Sequence, residues 1–316
     1  MKTFTLNDGI TMPAFGLGTW KSPKGEVKQA VEEALKVGYT HIDAAWIYQN
    51  EHEVGAGIGA AMDAGAIARD SLFVTSKLWN AFHQPDDVEK GCRESLKALA
   101  IDYLDLYLMH WPVAFRPDRS SHNSAEDFYS LSELPLSRTF EAMVQLREQG
   151  LVKSVGVSNF SISKLEQLIA ETGVVPAVNQ VELHPYNPQN DLLQYCRSKG
   201  IRLTAYSPLG SGDRPASMKA KDEPPLLENR EVKTIAAQET LSPAQLLIAW
   251  GLDRDTVVIP KSTNAQRISE NLAAAGHTLS AEARAALNDI SIRYRYVSVD
   301  SWFIPGVTYE GEDFWS

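Results

Sequence analysis

Four ionisable side chains, Asp43, Tyr48, Lys77 and His110, stand at or just beyond the ends of apolar runs. Tyr39-Thr-His-Ile-Asp43 ends on a carboxylate, with Tyr48 five residues on. Leu72-Phe-Val-Thr-Ser-Lys77 ends on a lysine, with Trp79 two residues later, and Tyr103-Leu-Asp-Leu-Tyr-Leu-Met-His110 ends on His-Trp. Parallel sheets keep their sites at the C-terminal ends of strands. The three runs therefore predict a single proton-transfer site.

The residue types fit that chemistry. A phenol has a reference pKa of about 10, too high for easy proton donation at neutral pH. A neighbouring ammonium favours phenolate and can lower that value by roughly 1–3 units. A buried lysine keeps its proton only beside a carboxylate. Asp43 would hold Lys77 charged, Lys77 would acidify Tyr48, and His110 would orient a carbonyl oxygen or share the proton. Trp20, Trp79 and Trp111 are placed to wall the site. Taken singly, each residue has a plain structural reading: an ion pair for Asp43 and Lys77, a satisfied core histidine for His110.

The elements that would position these groups alternate. Phe4, Leu6, Ile10 and Met12 flank Asp8-Gly9, which predicts an opening hairpin over 1–13 with a type I′ turn. Strands are expected at 14–18, 39–43, 72–77, 103–109, 152–157, 176–181, 201–206 and 256–260. Helical patterns fall near 51–66, 86–99, 137–149, 161–171, 189–199, 228–239 and 264–274, after a first stripe of Val27, Ala30, Val31, Ala34 and Leu35. Ser242-Pro243-x-Gln245 reads as a capping box opening a further helix to Gly251, and a last helix, 280–290, precedes an aromatic tail over 291–316. Eight strand–helix units predict a closed (β/α)8 barrel, a TIM barrel, as one domain over 1–316, with a doubly wound sheet as the alternative. The connections 111–136 and 207–227 are too long for simple turns and are expected on the C-terminal face.

Composition narrows the partners. A net charge of −10 over 316 residues argues against nucleic acid and anionic membranes. Cys92 and Cys196 show no metal spacing and read as buried thiols of a reducing compartment. No apolar segment has signal-peptide or membrane-span character, so a cytoplasmic location is expected. Gly55-Ala-Gly57-Ile-Gly59-Ala60 matches the dinucleotide fingerprint, but its context is wrong. Polar residues precede it, and no Asp or Glu occurs between 71 and 80. Close helix packing is the better reading.

Several longer motifs occur in order: Gly16-Leu-Gly-Thr-Trp20, Gly38-Tyr-x-His-Ile-Asp43-x-Ala45-x-x-Tyr48, Tyr107-Leu-Met-His-Trp111-Pro112, Gly156-Val-Ser-Asn-Phe160, Asn179-Gln180, Ala205-Tyr-Ser-Pro-Leu-Gly210 and Ile259-Pro-Lys-Ser262. Together they resemble the signatures of the aldo-keto reductases, nearest the monomeric aldose and aldehyde reductases. The resemblance implies that Tyr48 is the general acid, Lys77 and Asp43 its tuning pair, and His110 the group that orients the carbonyl. It also implies NADPH, with NADH weaker, bound without a Rossmann fold. Ser158, Asn159 and Gln180 would hold the carboxamide, with Tyr206 under the nicotinamide ring. Ser207, Leu209, Ser211 and Asp213 would cross the pyrophosphate, Lys261, Ser262 and Arg267 would hold the 2′-phosphate, and Glu270 and Asn271 the adenine. Gly18, Thr19, Trp20 and Thr263 would also contact the cofactor. A lysine and a hydroxyl at a strand end, with Arg267 in the next helix's first turn, independently suit a dianion.

The substrate would be a small carbonyl compound. Trp20, Trp79, His110, Trp111, Phe115 and Trp302 are expected to form its pocket. Three rivals use parts of the same set: a metal-dependent hydrolase on His41, Asp43, Lys77 and His110, a Schiff-base lyase on Lys77 or Lys261, and a cofactor-binding regulatory subunit.

Overall fold

The apolar runs fold as parallel strands whose inward residues alternate with residues facing a helical layer. The computed structural model describes residues 2–119, 122–309 and 311–315. Ser120 and Ser121 of the long loop, and Glu310 and Ser316 of the tail, lie outside the described residues.

Thr3–Thr5 (β1) and Thr11–Pro13 (β2) pair antiparallel at the base. Their turn is not the type I′ pair expected. Leu6 O accepts from Gly9 N (3.0 Å), Leu6 N donates to Ile10 O (2.8 Å), and Gly9 alone of the turn takes positive φ, 87°. That is a three-residue loop with glycine at the left-handed position, where no Cβ has to be accommodated.

Leu17–Gly18 (β3), His41–Asp43 (β4), Phe73–Leu78 (β5) and Leu104–Met109 (β6) follow. Ala114–Phe115 (β7) and Phe128–Tyr129 (β8) form a ribbon inside the 111–136 connection. Val152–Ser158 (β9), Val178–Glu182 (β10), Arg202–Tyr206 (β11) and Val257–Val258 (β12) complete the set. The eight-stranded sheet runs β12-β11-β10-β9-β6-β5-β4-β3, all parallel. Bridges from Phe15 to Val258 and from Gly18 to Lys261 join its two edges, closing the barrel. β12 is shorter than the expected 256–260, in keeping with Pro260, which has no N–H to give a ladder. Gly18 is required at the closure: a Cβ there would stand 2.7 Å from Ile259 O.

Among the described residues, ten helices pack around the sheet: Val27–Val37 (α1), Glu51–Asp63 (α2), Pro85–Leu99 (α3), Leu136–Glu148 (α4), Ile162–Thr172 (α5), Asn190–Lys199 (α6), Arg230–Gln238 (α7), Pro243–Asp253 (α8), Ala265–Ala274 (α9) and Ala281–Asp289 (α10). The capping box forms at Ser242 and Gln245, with Pro243 in the first turn of α8. On α2, a Cβ at Gly55 would meet Leu99 O at 2.4 Å and one at Gly57 would meet Lys28 O at 2.7 Å. The glycine run is therefore a close-packing surface between α1, α2 and α3, not a nucleotide turn.

Alternation on β5 carries the fold into the site. Ser76 points outward and donates to Glu51 of α2 (2.5 Å), so Thr75 and Lys77 point into the barrel. Thr75 meets His41 Nε2 (3.1 Å) and Lys77 reaches the ion pair described below.

Candidate active site

Asp43 ends β4, and the chain then turns through a single 3-10 turn, Trp46–Tyr48. That turn is fixed from outside, since Trp46 Nε1 donates to Glu94 (2.9 Å) and Asn50 Nδ2 donates to Thr19 O (3.0 Å). Lys77 lies one strand over, and His110 follows β6 with its N–H on Leu78 O (3.1 Å). The barrel thus places three strand ends side by side.

The Lys77 ammonium donates to Asp43 Oδ1 (2.5 Å), Ala44 O (2.9 Å) and Tyr48 Oη (3.3 Å). Gln180 Nε2 holds the other Asp43 oxygen at 2.8 Å. The His110 ring faces Tyr48 edge-on at 5.9 Å between centroids and Trp79 at 5.5 Å. Thus the four predicted groups do converge. His41, by contrast, is tied to Thr75 deeper in the barrel.

The electrostatics differ from the expected acidified phenol. Burial, and then the Asp43 and Glu51 carboxylates, hold the Tyr48 hydroxyl well above the usual phenol range. Lys77 does not reverse this, because Asp43 at 2.5 Å already balances its charge. Burial lowers Lys77 while Asp43 opposes the shift. Burial, then the Lys77 charge and His83, push His110 well below the ordinary histidine value. Tyr48 therefore stands as an un-ionised phenol and His110 as a neutral imidazole, with the Lys77 charge held by Asp43.

Tyr48 and His110 open into a cleft of about 970 Å³ with two arms. Gly18, Thr19, Ser158, Asn159, Gln180 and Tyr206 lie at the junction. Ser158 Oγ donates to Gln180 O (2.8 Å), Asn159 Nδ2 to His110 O (3.0 Å) and Tyr206 Oη to Asn159 Oδ1 (2.8 Å). These bonds lock one face and leave Gln180 Oε1 with no protein partner among the described residues.

The longer arm runs under the 207–213 segment past Ser207, Leu209, Ser211 and Asp213 to Lys261, Ser262, Thr263, Arg267, Glu270 and Asn271. Asp213 is clasped by Lys21 (2.6 Å) and Lys261 (2.7 Å), so the segment is strapped across the cleft. Burial would raise the Asp213 carboxyl, but the two lysines bring it down to about 2. Lys21, Asn159, Ser207 and Ser211 line this cleft with φ of 60°, 65°, 47° and 50°. Left-handed backbone at non-glycine residues is costly and concentrates where geometry serves binding. At the far end Asn264 caps α9 through the Arg267 N–H (2.9 Å), and this first helical turn borders the cleft.

The shorter arm is walled by Trp20, Trp79, Trp111 and Trp302. Trp302 crosses Trp111 at 5.4 Å and Trp79 at 6.2 Å. Phe115, expected in the wall, is not: it is buried at 1% exposure. It supports the wall from behind, 5.6 Å from Trp79 and 5.1 Å from Trp302. Sequence reasoning missed Lys21, Ile47, Val297 and Val299, which do line the cleft. Only Lys21 had a signal, its place directly after the Gly-Leu-Gly-Thr-Trp20 motif.

The aldo/keto reductase family model matches residues 12–292. An aldo/keto reductase of Synechocystis sp. is 47% identical over 315 residues, spanning 100% of this chain and 96% of that protein. The rat aldo-keto reductase family 1 member A1 is 43% identical over 309 residues, 97% of this chain and 93% of that one. Among solved structures, a Bombyx mori aldo-keto reductase in complex with NADP superposes with a TM-score of 0.85 at 37% identity, over 95% of this chain and 96% of that one. The chain belongs to the aldo-keto reductase family.

Proposed function

We propose that the protein reduces aldehydes to alcohols with NADPH, with Tyr48 as the proton donor. The observation that carries this is the Tyr48 hydroxyl at the cleft floor, beside His110 and backed by the Lys77–Asp43 pair at 3.3 and 2.5 Å. Membership of the family and the NADP held by the silkworm relative support the cofactor.

The residues of the cleft fit that cofactor. The free Gln180 carbonyl, Asn159 and the Ser158 hydroxyl suit a carboxamide, and the Tyr206 ring suits stacking under nicotinamide. The strap from Ser207 to Asp213 suits a pyrophosphate. Lys261, Ser262 and Arg267 suit the 2′-phosphate that distinguishes NADPH from NADH, with Glu270 and Asn271 beside the adenine. When bound, NADPH supplies a hydride from nicotinamide C4 to the carbonyl carbon.

The protein's part is binding, orientation and the proton. The neutral His110 ring and the Tyr48 hydroxyl receive the carbonyl oxygen between them. Tyr48 Oη transfers its proton as charge builds on that oxygen, and the Lys77 ammonium steadies the resulting phenolate. Asp43 and Gln180 keep Lys77 aimed. The tryptophan walls exclude water, which strengthens each of these interactions. We also propose a cytoplasmic protein, a reading supported by Cys92 and Cys196, both buried free thiols.

The test is loss of nicotinamide absorbance with NADPH over aldehydes, aldoses and ketones. Turnover of aldehydes is the expected result. Tight NADPH binding without turnover of any carbonyl would move the assignment to a regulatory subunit.

A further inference from the structure

We propose that the shorter arm selects uncharged aldehydes and discriminates against those carrying a carboxylate. This inference rests on the reductase reading above and concerns the substrate class of the same site. The wall is Trp20, Trp79, Trp111 and Trp302, closed by Val297 and Val299. Among the described residues its other polar groups are the hydroxyls of Ser298 and Ser301 and the indole N–H groups of the four tryptophans, beside Tyr48 and His110.

Among the described residues, every cation lining the cleft belongs to the other arm or is already engaged. Lys261 is held by Asp213 at 2.7 Å, and Lys233 is paired with Glu228. Arg267 stands in the first turn of α9. Lys21 comes nearest, its ammonium 4.3 Å from the Trp20 ring centre, but Ser211 (2.5 Å) and Asp213 (2.6 Å) hold it. Lys77 is behind Tyr48, fully buried and bound to Asp43. The guanidinium carbon of the tail's Arg295 lies over Trp315, 3.8 Å from its ring centre, and Arg295 does not line the cleft.

A carboxylate entering this arm would leave water and meet indole rings, valine methyls and neutral O–H and N–H groups, with no cation among the described residues free to balance its charge. Burying a charge without a cation to pair it is strongly disfavoured. A neutral aldehyde with a flat or aliphatic body has the opposite balance, because its apolar surface is removed from water against the rings. The geometry therefore separates substrates by charge more sharply than by carbon skeleton.

The experiment is steady-state kinetics with NADPH on matched pairs: benzaldehyde against 4-carboxybenzaldehyde, and pentanal against 5-oxopentanoate. The neutral member of each pair should show kcat/KM higher by at least about tenfold, mainly through KM. Ser301→Arg, at the exposed rim, should narrow both ratios by supplying the missing cation. Equal or preferred turnover of the carboxylated members, or ratios that Ser301→Arg leaves unmoved, would overturn the inference while leaving the reductase in place. Absence of turnover on all four aldehydes would bring down the reductase reading itself, and this inference with it.

Discussion

The Lys77 ammonium lies 3.3 Å from the Tyr48 hydroxyl, while Asp43 takes its shortest bond at 2.5 Å. The phenol therefore meets an ion pair rather than a bare cation. Lys77→Met keeps most of the side-chain volume and removes the charge. Turnover should fall by about 100-fold or more, and the fold should lose about 3–5 kcal/mol because Asp43 is left buried without its cation. Asp43→Asn added to Lys77→Met should restore much of the melting temperature and none of the turnover. A single variant with normal kcat would show that the pair is purely structural.

Three buried histidines make stability depend on pH in a defined direction. Burial holds His41 at about 4 and His83 at about 3, and burial with Lys77 holds His110 well below its ordinary value. In the unfolded chain each titrates near 6.5. Below that pH the unfolded chain binds more protons than the folded one, so these rings favour folding above about 6.5 and the advantage is lost as pH falls toward their folded values. Each ring contributes a slope of about 1.4 kcal/mol per pH unit in that window. Melting temperature should drop steeply from pH 6.5 to 4.5, and His83→Gln should flatten the slope. A melting temperature constant down to pH 5 would contradict the buried neutral rings.

Lys261 and Asp213 test the cofactor arm separately from the chemistry. Lys261→Glu should weaken NADPH by at least about tenfold more than NADH, since the NADPH 2′-phosphate is the extra dianion to be met. Asp213→Asn removes the anchor of the strap and should speed dissociation of both cofactors by a similar factor. Fluorescence titration and stopped-flow release measure the two effects. Equal losses of NADPH and NADH affinity in Lys261→Glu would remove the phosphate assignment.

The glycines of α2 give a prediction about packing alone. Gly55→Ala should destabilise by roughly 2 kcal/mol or more, since its Cβ would stand 2.4 Å from Leu99 O. A Cβ at Gly59 would meet nothing within 4 Å beyond its own helical turn, so Gly59→Ala should stabilise the helix by about 0.5–1 kcal/mol. Neither should change the NADPH dissociation constant. A large loss of NADPH affinity in either variant would revive the dinucleotide-turn reading.

Asp43, Lys77 and His110 were legible in the sequence because a charge ending an apolar strand breaks a strong local pattern. Tyr48 was legible only beside them, and the barrel through its repeated strand–helix period. What escaped depends on tertiary closure. Lys21 meets Asp213 across 192 residues, and neither residue is unusual in its own neighbourhood. Phe115 was expected in the pocket wall, but the β7–β8 ribbon folds it under Trp302, beyond the reach of local periodicity. The direction of the Tyr48 shift depends on how deeply the phenol is buried and how fully Asp43 balances Lys77. Side-chain identity alone gives neither quantity. The hairpin turn type is not legible locally, because Asp-Gly serves both two-residue and three-residue loops, and strand register decides between them.

The most direct test is Tyr48→Phe, which removes one oxygen and leaves the ring, Lys77 and Asp43 in place. NADPH affinity should stay within about twofold of wild type, while kcat/KM for a neutral aldehyde should fall by about 100- to 10,000-fold. Turnover within tenfold of wild type would contradict the account and place the proton donor on another group.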